Sequence, residues 1–184
     1  MTVSHRSTVE VHEQAVRLFE RGRYFEALSL AEQACESESA QDLAFADILT
    51  LLADLRRELG YYAQAEQPYL QALSIKAALL GKEHPDYART LQGLAKLYEW
   101  LGQYAQAAPL FNTALTIRRQ ALGEEHPDYA QTLHDIGFLH DLRGRRVEGE
   151  KLVRRALEIR KKSLGEDHPD IAQSLTAPSR HWRR

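Results

Sequence analysis

The sequence predicts an all-α protein, an open solenoid built from helix pairs, and three observations support this fold class. The motif Leu-Gly-x-x-His-Pro-Asp occurs three times, at 80–86, 122–128 and 164–170, with a constant spacing of 42 residues. Between the copies, apolar residues recur every three or four positions, which is a helical period. Glycines at 60, 102 and 144 divide each unit into two segments of helical length. A fixed period of this size indicates supersecondary units stacked in a row.

Each unit is expected to begin a helix at its His-Pro-Asp turn. Proline is preorganised for the first helical position, and aspartate favours the positive end of the helix dipole. In the unit that begins at His84, the first helix should end before Gly102, because glycine adopts the left-handed conformation that closes a helix. The second helix should then run from about Tyr104 to Gly123.

The repeat frame predicts one repeat domain over residues 1–178. Its helix pairs are expected at about 8–36, 41–80, 85–122 and 127–164, the first of them looser because Gly22 precedes Gly60 by 38 residues. A short helix over 169–177 is predicted to cap the last pair, since terminal repeats are usually atypical. The basic tail at 179–184 is predicted to be disordered.

Composition is that of a folded chain, with 43% hydrophobic and 27% charged residues. The single cysteine, Cys35, excludes an intramolecular disulfide and favours a reducing, cytoplasmic location. It lies on an apolar helical face and is expected to be a buried structural thiol. The first 20 residues do not resemble a signal peptide, and no stretch approaches the ~18 apolar residues that span a bilayer.

The third pair carries a recognisable family pattern. Leu91-x-x-Leu94-Ala95-x-x-Tyr98, followed by Ala107-x-x-x-Phe111, resembles the tetratricopeptide repeat. The 42-residue period and the Ala-Leu-x-Ile-Arg segments at 114–118 and 156–160 resemble the kinesin light chain type of this repeat. The resemblance implies a right-handed superhelical solenoid that binds a protein or peptide without catalysis, with the first helix of each pair lining the concave face.

Two stretches depart from that type. Kinesin light chain repeats often carry Thr-Leu-Asn-Asn-Leu, whose asparagines hold a bound peptide backbone. Residues 90–94 are instead Thr-Leu-Gln-Gly-Leu, and residues 132–136 are Thr-Leu-His-Asp-Ile. The carboxamide clamp is therefore mostly missing.

The candidate groove residues are the first-helix positions that are not needed for packing between helices. They recur every three or four residues, so each set shares one face. The set is Asp47, Thr50, Asp54 and Arg57 in the second pair; Arg89, Gln92, Lys96, Glu99 and Trp100 in the third; and Gln131, His134, Asp135, Phe138 and Asp141 in the fourth.

These positions predict a mildly acidic groove with two aromatic anchors, Trp100 and Phe138. Such a groove would suit an extended or helical peptide of neutral or basic character, because complementary charge sets specificity and encounter rate. The alternative is that the same residues are solvated polar positions on an exposed helical face.

Catalytic, metal and cofactor sites are not predicted. The recurrent His84, His126 and His168 would be separated by helix spacings of roughly 8–10 Å each. Zinc needs its ligands within about 2.3 Å of one ion, so we interpret these histidines as turn residues. There is no phosphate-binding glycine loop and no nucleophile elbow, so an enzyme is not expected.

Two other functions remain as alternatives. The exposed solenoid ends could pair, making the chain a structural homo-oligomerisation module rather than a monomer or weak homo-oligomer. The carboxyl-terminal unit could hold an acidic partner or, less favoured, nucleic acid, since residues 143–184 carry 12 Lys+Arg against 6 Asp+Glu.

Overall fold

The computed structural model describes residues 8–37 and 42–164, and this part of the chain is helical without a strand. The helices, in chain order, are α1 (Thr8–Glu20), α2 (Tyr24–Ser37), α3 (Leu43–Glu58), α4 (Tyr62–Leu79), α5 (Pro85–Trp100), α6 (Tyr104–Leu122), α7 (Pro127–Leu142) and α8 (Arg146–Leu164). The predicted cap at 169–177, the tail at 179–184 and the third His-Pro-Asp copy lie outside the described residues.

The His-Pro-Asp turns start α5 and α7 as expected, and the structure shows how the histidine contributes. His84 is the N-cap of α5, and its Nδ1 accepts a hydrogen bond from the backbone N–H of Asp86 at 3.2 Å. His126 caps α7 in the same way, with Nδ1 3.1 Å from the nitrogen of Asp128. Each imidazole satisfies one of the amide groups that a helix start leaves unpaired.

Glycine closes the first helix of the third pair. Gly102 has a φ of 72°, and the following N–H of Gln103 donates to the carbonyl of Tyr98 at 2.8 Å. This is the pattern in which a left-handed residue lets the chain turn back onto its own helix. The turn is short, so α6 folds antiparallel to α5.

Small residues allow the two helices of each pair to approach closely. Ala53 and Ala65 are fully buried in one core cluster, and their counterparts one period later, Ala95 and Ala107, are fully buried in another. In the last pair both positions are glycine. A Cβ built on Gly149 would lie 2.5 Å from the carbonyl oxygen of Gly137, so α7 and α8 pack backbone against backbone.

The helices form two layers, which places the candidate groove. Each helix packs against the next in the chain, and in addition α1 packs against α3 and α3 against α5. Side-chain bonds join α5 to α7. Within the described residues no two second helices pack as closely, so the layer of α1, α3, α5 and α7 is on the inner, concave side.

A proline inside α4 is accommodated by an arginine from α3. Pro68 cannot donate to the carbonyl of Gln64 four residues earlier. That carbonyl oxygen instead accepts a hydrogen bond from Arg56 Nη1 at 3.0 Å, and Arg56 Nη2 also pairs with Glu32 of α2 at 3.0 Å. One guanidinium therefore links three consecutive helices.

Across residues 8–37 and 42–164, no helix combines the length and apolar character that crossing a bilayer requires.

Candidate functional site

The inner face is the surface of α3, α5 and α7 that carries the fourteen predicted groove residues. The structure divides them by exposure. Exposed side chains belong to Arg89, Trp100 and Asp141; half-buried ones to Asp47, Asp54, Arg57, Lys96, Gln131, His134 and Phe138; and buried ones to Thr50, Gln92, Glu99 and Asp135.

Buried cations from the second helices α4, α6 and α8 reach the inner face, and the sequence-based set omitted them. We call these residues, Lys76, Arg118 and Arg160, together with their partners, the polar ladder. The three cations Lys76, Arg118 and Arg160 are 1%, 4% and 5% exposed, respectively, and each lies 42 residues after the one before it. The available signal was a basic residue that recurs after isoleucine on an otherwise apolar helix face.

The first rung of the polar ladder, formed by Lys76 and its partners, joins the second and third pairs. Lys76 Nζ lies 2.8 Å from Asp47 Oδ1, 3.1 Å from Thr90 Oγ1 and 3.5 Å from Thr50 Oγ1. Both threonines also donate to carbonyl oxygens of their own helices, at Ala46 and Asp86. The ammonium group is thus enclosed by one carboxylate and two hydroxyls that are already oriented.

The next rungs repeat this geometry with a guanidinium. Arg118 Nη1 donates to Gln92 Oε1 at 2.7 Å, to Thr132 Oγ1 at 2.6 Å and to the carbonyl oxygen of Asp128 at 3.0 Å. Arg160 donates to Gln131, which occupies the position of Asp47 two periods later. Several of the predicted groove residues therefore hold the repeats together.

Asp135 is the most strongly held carboxylate of the inner face. Its oxygens accept from Gln92 Nε2 and, at 3.0 Å, from Gln131 Nε2, and Lys96 Nζ lies 3.2 Å away. Burial would raise the pKa of Asp135, but Lys96, His134 and Gln92 together hold that pKa well below its usual value. The residue is therefore ionised and fully engaged.

A second cluster lies between α3 and α4. Tyr69, which is completely buried, donates its hydroxyl to Asp54 Oδ1 at 2.5 Å, and Arg57 lies 3.4 Å from both of these groups. Burial raises the pKa of Tyr69 well above its ordinary value, and the neighbouring Asp54 raises it further. The ring occupies the space beside Gly93, where a Cβ would come within 2.6 Å of it.

The charge of the inner face differs from the mildly acidic groove expected from the sequence. Asp47, Asp54 and Asp135 are each paired with a cation. Burial and, to a smaller extent, the charge of Asp135 raise the pKa of Glu99 to about 8, despite the opposing effects of Lys96 and Arg57. The residue count overstated the negative charge because most of these acids are compensated or neutral.

The two predicted aromatic anchors lie on the first helices of different pairs, Trp100 on α5 and Phe138 on α7. Trp100 stacks on Tyr62 of α4, with ring centroids 6.2 Å apart and an interplanar angle of 21°. It remains 47% exposed at the edge of the inner face, whereas Phe138 is half-buried on α7. Any shared partner must therefore extend across more than one repeat.

The single cysteine, Cys35, lies on α2, outside the inner face. Burial raises the pKa of Cys35 to about 11, so the thiol is protonated at neutral pH. Across the described ranges, no group of three or more His, Cys, Asp or Glu side chains has an arrangement that could hold a metal ion.

Comparison with known families then identifies the repeat. One tetratricopeptide repeat family matches residues 44–100 and 93–148, and a second tetratricopeptide repeat family matches 130–170. The chain belongs to the tetratricopeptide repeat family. The predicted all-α solenoid is therefore confirmed.

Solved structures place this tetratricopeptide repeat protein near kinesin light chain-like repeats. BtubC (BKLC) from P. vanneervenii is 25% identical with a TM-score of 0.73, over 89% of this chain and 67% of that one. A Podosopora anserina putative kinesin light chain with nearly identical TPR-like repeats is 25% identical with a TM-score of 0.70, over 90% and 80%. MamA shares the fold at 16% identity and a TM-score of 0.62.

Among characterised sequences, nephrocystin-3 from Xenopus tropicalis is 38% identical over 71 residues, as is its Xenopus laevis counterpart. The match covers 39% of this chain and 5% of each nephrocystin-3. The chain therefore spans a small part of the length of these relatives. Tetratricopeptide repeats generally mediate protein–protein interaction, and the fold is typically a scaffold without catalytic activity.

Proposed function

We propose that the chain binds an extended or helical peptide segment of a protein partner along its inner face, and that it performs no catalysis itself. The observation that supports this proposal is that some polar residues of that face hold the helices together, whereas others remain accessible to a partner. The polar ladder fixes consecutive first helices to one another, and a row of other side chains remains available beside it.

The available side chains are chemically varied. Arg89 and Asp141 are exposed, Lys96 is 31% exposed, and Trp100 offers a stacked ring at the edge. A surface whose backbone positions are already fixed loses little conformational entropy when a partner binds, which favours affinity. A single cysteine supports the further proposal that this interaction takes place in the cytoplasm.

Selection from a random library of 12-residue peptides on the immobilised chain tests the proposal. The affinities of the selected peptides would then be measured by fluorescence anisotropy. We expect Arg89→Ala and Trp100→Ala to weaken binding by about tenfold or more, as is usual for arginine and tryptophan at the centre of an interface.

Matched controls lie on the second helices. Arg119→Ala and Phe25→Ala remove an exposed arginine and an aromatic residue that is 69% exposed from the outer layer. These variants should bind the selected peptides as the wild type does. Failure to select any peptide, or equal losses in the controls, would rule out the inner face as the binding surface.

A second candidate function rests on α8 and its preceding turn. Arg143, Arg145, Lys151, Arg154 and Lys161 are exposed, and none of them forms an ion pair with another described residue. This surface would suit an acidic protein segment. Light scattering and gel retardation at low salt would separate that reading from self-association through the solenoid ends and from nucleic-acid binding.

A further inference from the structure

Glu99 differs from the other buried or half-buried acids of the inner face. It is only 9% exposed, yet no described residue forms a hydrogen bond or an ion pair with its carboxyl group. Asp47, Asp54 and Asp135 each have a cationic or hydroxyl partner within 3.2 Å. A carboxyl group that is largely shielded from water and has no hydrogen-bond partner is uncommon in a folded protein, so its presence calls for an explanation.

The position of Glu99 directs its carboxyl group toward the seam between α5 and α7. Gln92, Lys96 and Glu99 are spaced by four and three residues, so they share one stripe of α5. The first two both reach Asp135 of α7. Asp135 is also the charged group with the largest effect on Glu99.

The charges that act on Glu99 come from three helices. Asp135 of α7 raises its pKa, whereas Lys96 of α5 and Arg57 of α3 lower it, and burial, the largest effect, brings the pKa to about 8. Arg57 is itself paired with Asp54 and Glu58. Among the described residues, no charged side chain of α4 or α6 contributes to the shift in the pKa of Glu99. The carboxyl group therefore keeps its proton at neutral pH in the unbound protein.

We propose that Glu99 is the docking point for a basic side chain, lysine or arginine, of the peptide segment that the inner face binds; this inference rests on the proposed function. The incoming cation pairs with the carboxyl group of Glu99, and the nearby negative charge of Asp135 adds to its attraction. It supplies the hydrogen-bond donors that Glu99 lacks and reduces the repulsion between the two acids.

Binding of the cation is coupled to loss of one proton. The protonated carboxyl group of Glu99 releases its proton to solvent and becomes a carboxylate that pairs with the basic side chain. Affinity therefore rises with pH below about 8, by up to about tenfold per pH unit for one released proton, and becomes constant above it.

Peptide selection on the wild type and on Glu99→Gln tests the inference. Glutamine keeps the volume of the side chain and resembles the protonated carboxyl group, so the variant should fold. The probe is a peptide selected by the wild type from the 12-residue library, and its anisotropy is measured between pH 6 and pH 9. Glu124→Gln, at an exposed position in the loop before α7, is the matched control.

We expect one lysine or arginine of the probe to cost about tenfold or more in affinity when it is replaced by alanine. That cost, and the rise of affinity with pH, should disappear in Glu99→Gln and persist in Glu124→Gln. In the wild type, the pKa of Glu99, followed by carbon NMR of labelled glutamate, should fall when the probe binds.

The possible failures are distinguishable. If the wild type selects no peptide, the proposed function fails and this inference fails with it. If peptides bind the inner face but Glu99→Gln changes neither the cost of the basic residue nor the pH profile, the docking point is wrong and the proposed function stands.

Discussion

The first rung of the polar ladder makes a quantitative prediction, because its two charged partners differ in exposure. Lys76 is 1% exposed, whereas the side chain of Asp47 is 38% exposed, and their charged atoms lie 2.8 Å apart. Removing either partner breaks the same ion pair. The free energy of unfolding should nevertheless fall by different amounts, since the charge left behind is in a different environment.

Asp47→Ala leaves a buried ammonium group whose remaining partners are the hydroxyls of Thr50 and Thr90. An uncompensated buried charge costs about 3–5 kcal/mol. Lys76→Met leaves a carboxylate that water already reaches, and both threonines keep their backbone acceptors. Its cost should be about 1 kcal/mol, the net value of a typical hydrogen bond, partly offset by burial of the methionine.

Urea unfolding followed by circular dichroism measures both variants. The double variant should resemble Lys76→Met alone, because the aspartate contributes little once the ammonium group is gone. Glu83→Ala, at an exposed loop position, should change stability by less than about 0.5 kcal/mol. If Lys76→Met destabilises the chain as much as Asp47→Ala, exposure does not determine the cost and the reasoning is refuted.

Three further predictions concern other buried groups. Gly93→Ala should destabilise the fold by about 1–3 kcal/mol, because its Cβ would lie 2.6 Å from the Tyr69 ring; in a Tyr69→Leu background the same change should be neutral or stabilising. Arg56→Ala should lower the free energy of unfolding by about 1 kcal/mol more in the wild type than in a Pro68→Ala background. In that background the restored backbone N–H of residue 68 bonds to the carbonyl oxygen of Gln64 in place of Arg56. Additive effects of the two substitutions would contradict this. Glu99 has a folded-state pKa of about 8 against an ordinary value of 4.5, so the folded state binds an extra proton and stability falls as pH rises between these values. Glu99→Gln should therefore match the wild type near pH 4 and exceed its stability by several kcal/mol above pH 8, and equal pH profiles would refute the burial argument.

The helical repeat could be predicted from sequence because its determinants are local. The His-Pro-Asp turn carries the proline and the aspartate that start a helix, and the 42-residue period repeats them. The additional role of His84 as the capping side chain was not predicted. Its Nδ1 acts through a backbone contact two residues away, which composition and spacing do not distinguish from a solvated turn histidine.

The inner face was predicted less completely because its contacts join residues far apart in the chain. Lys76 finds its partners 29 residues earlier and 14 residues later, and Gln92 bonds to Asp135, 43 residues away. A stripe of polar residues on one helix looks the same whether it faces water or the next repeat. For this reason the sequence could not separate Glu99, which is buried, from Trp100, which is exposed.

The links between first helices have a mechanical consequence. Opening the concave side would lengthen the connections from Lys76 to Thr90 and from Lys96 to Asp135, which cross from one pair to the next. Charged bonds of this kind resist stretching at short range, so the inner surface opposes unbending of the array. A tensile load along the axis of the array would therefore strain the inner surface first.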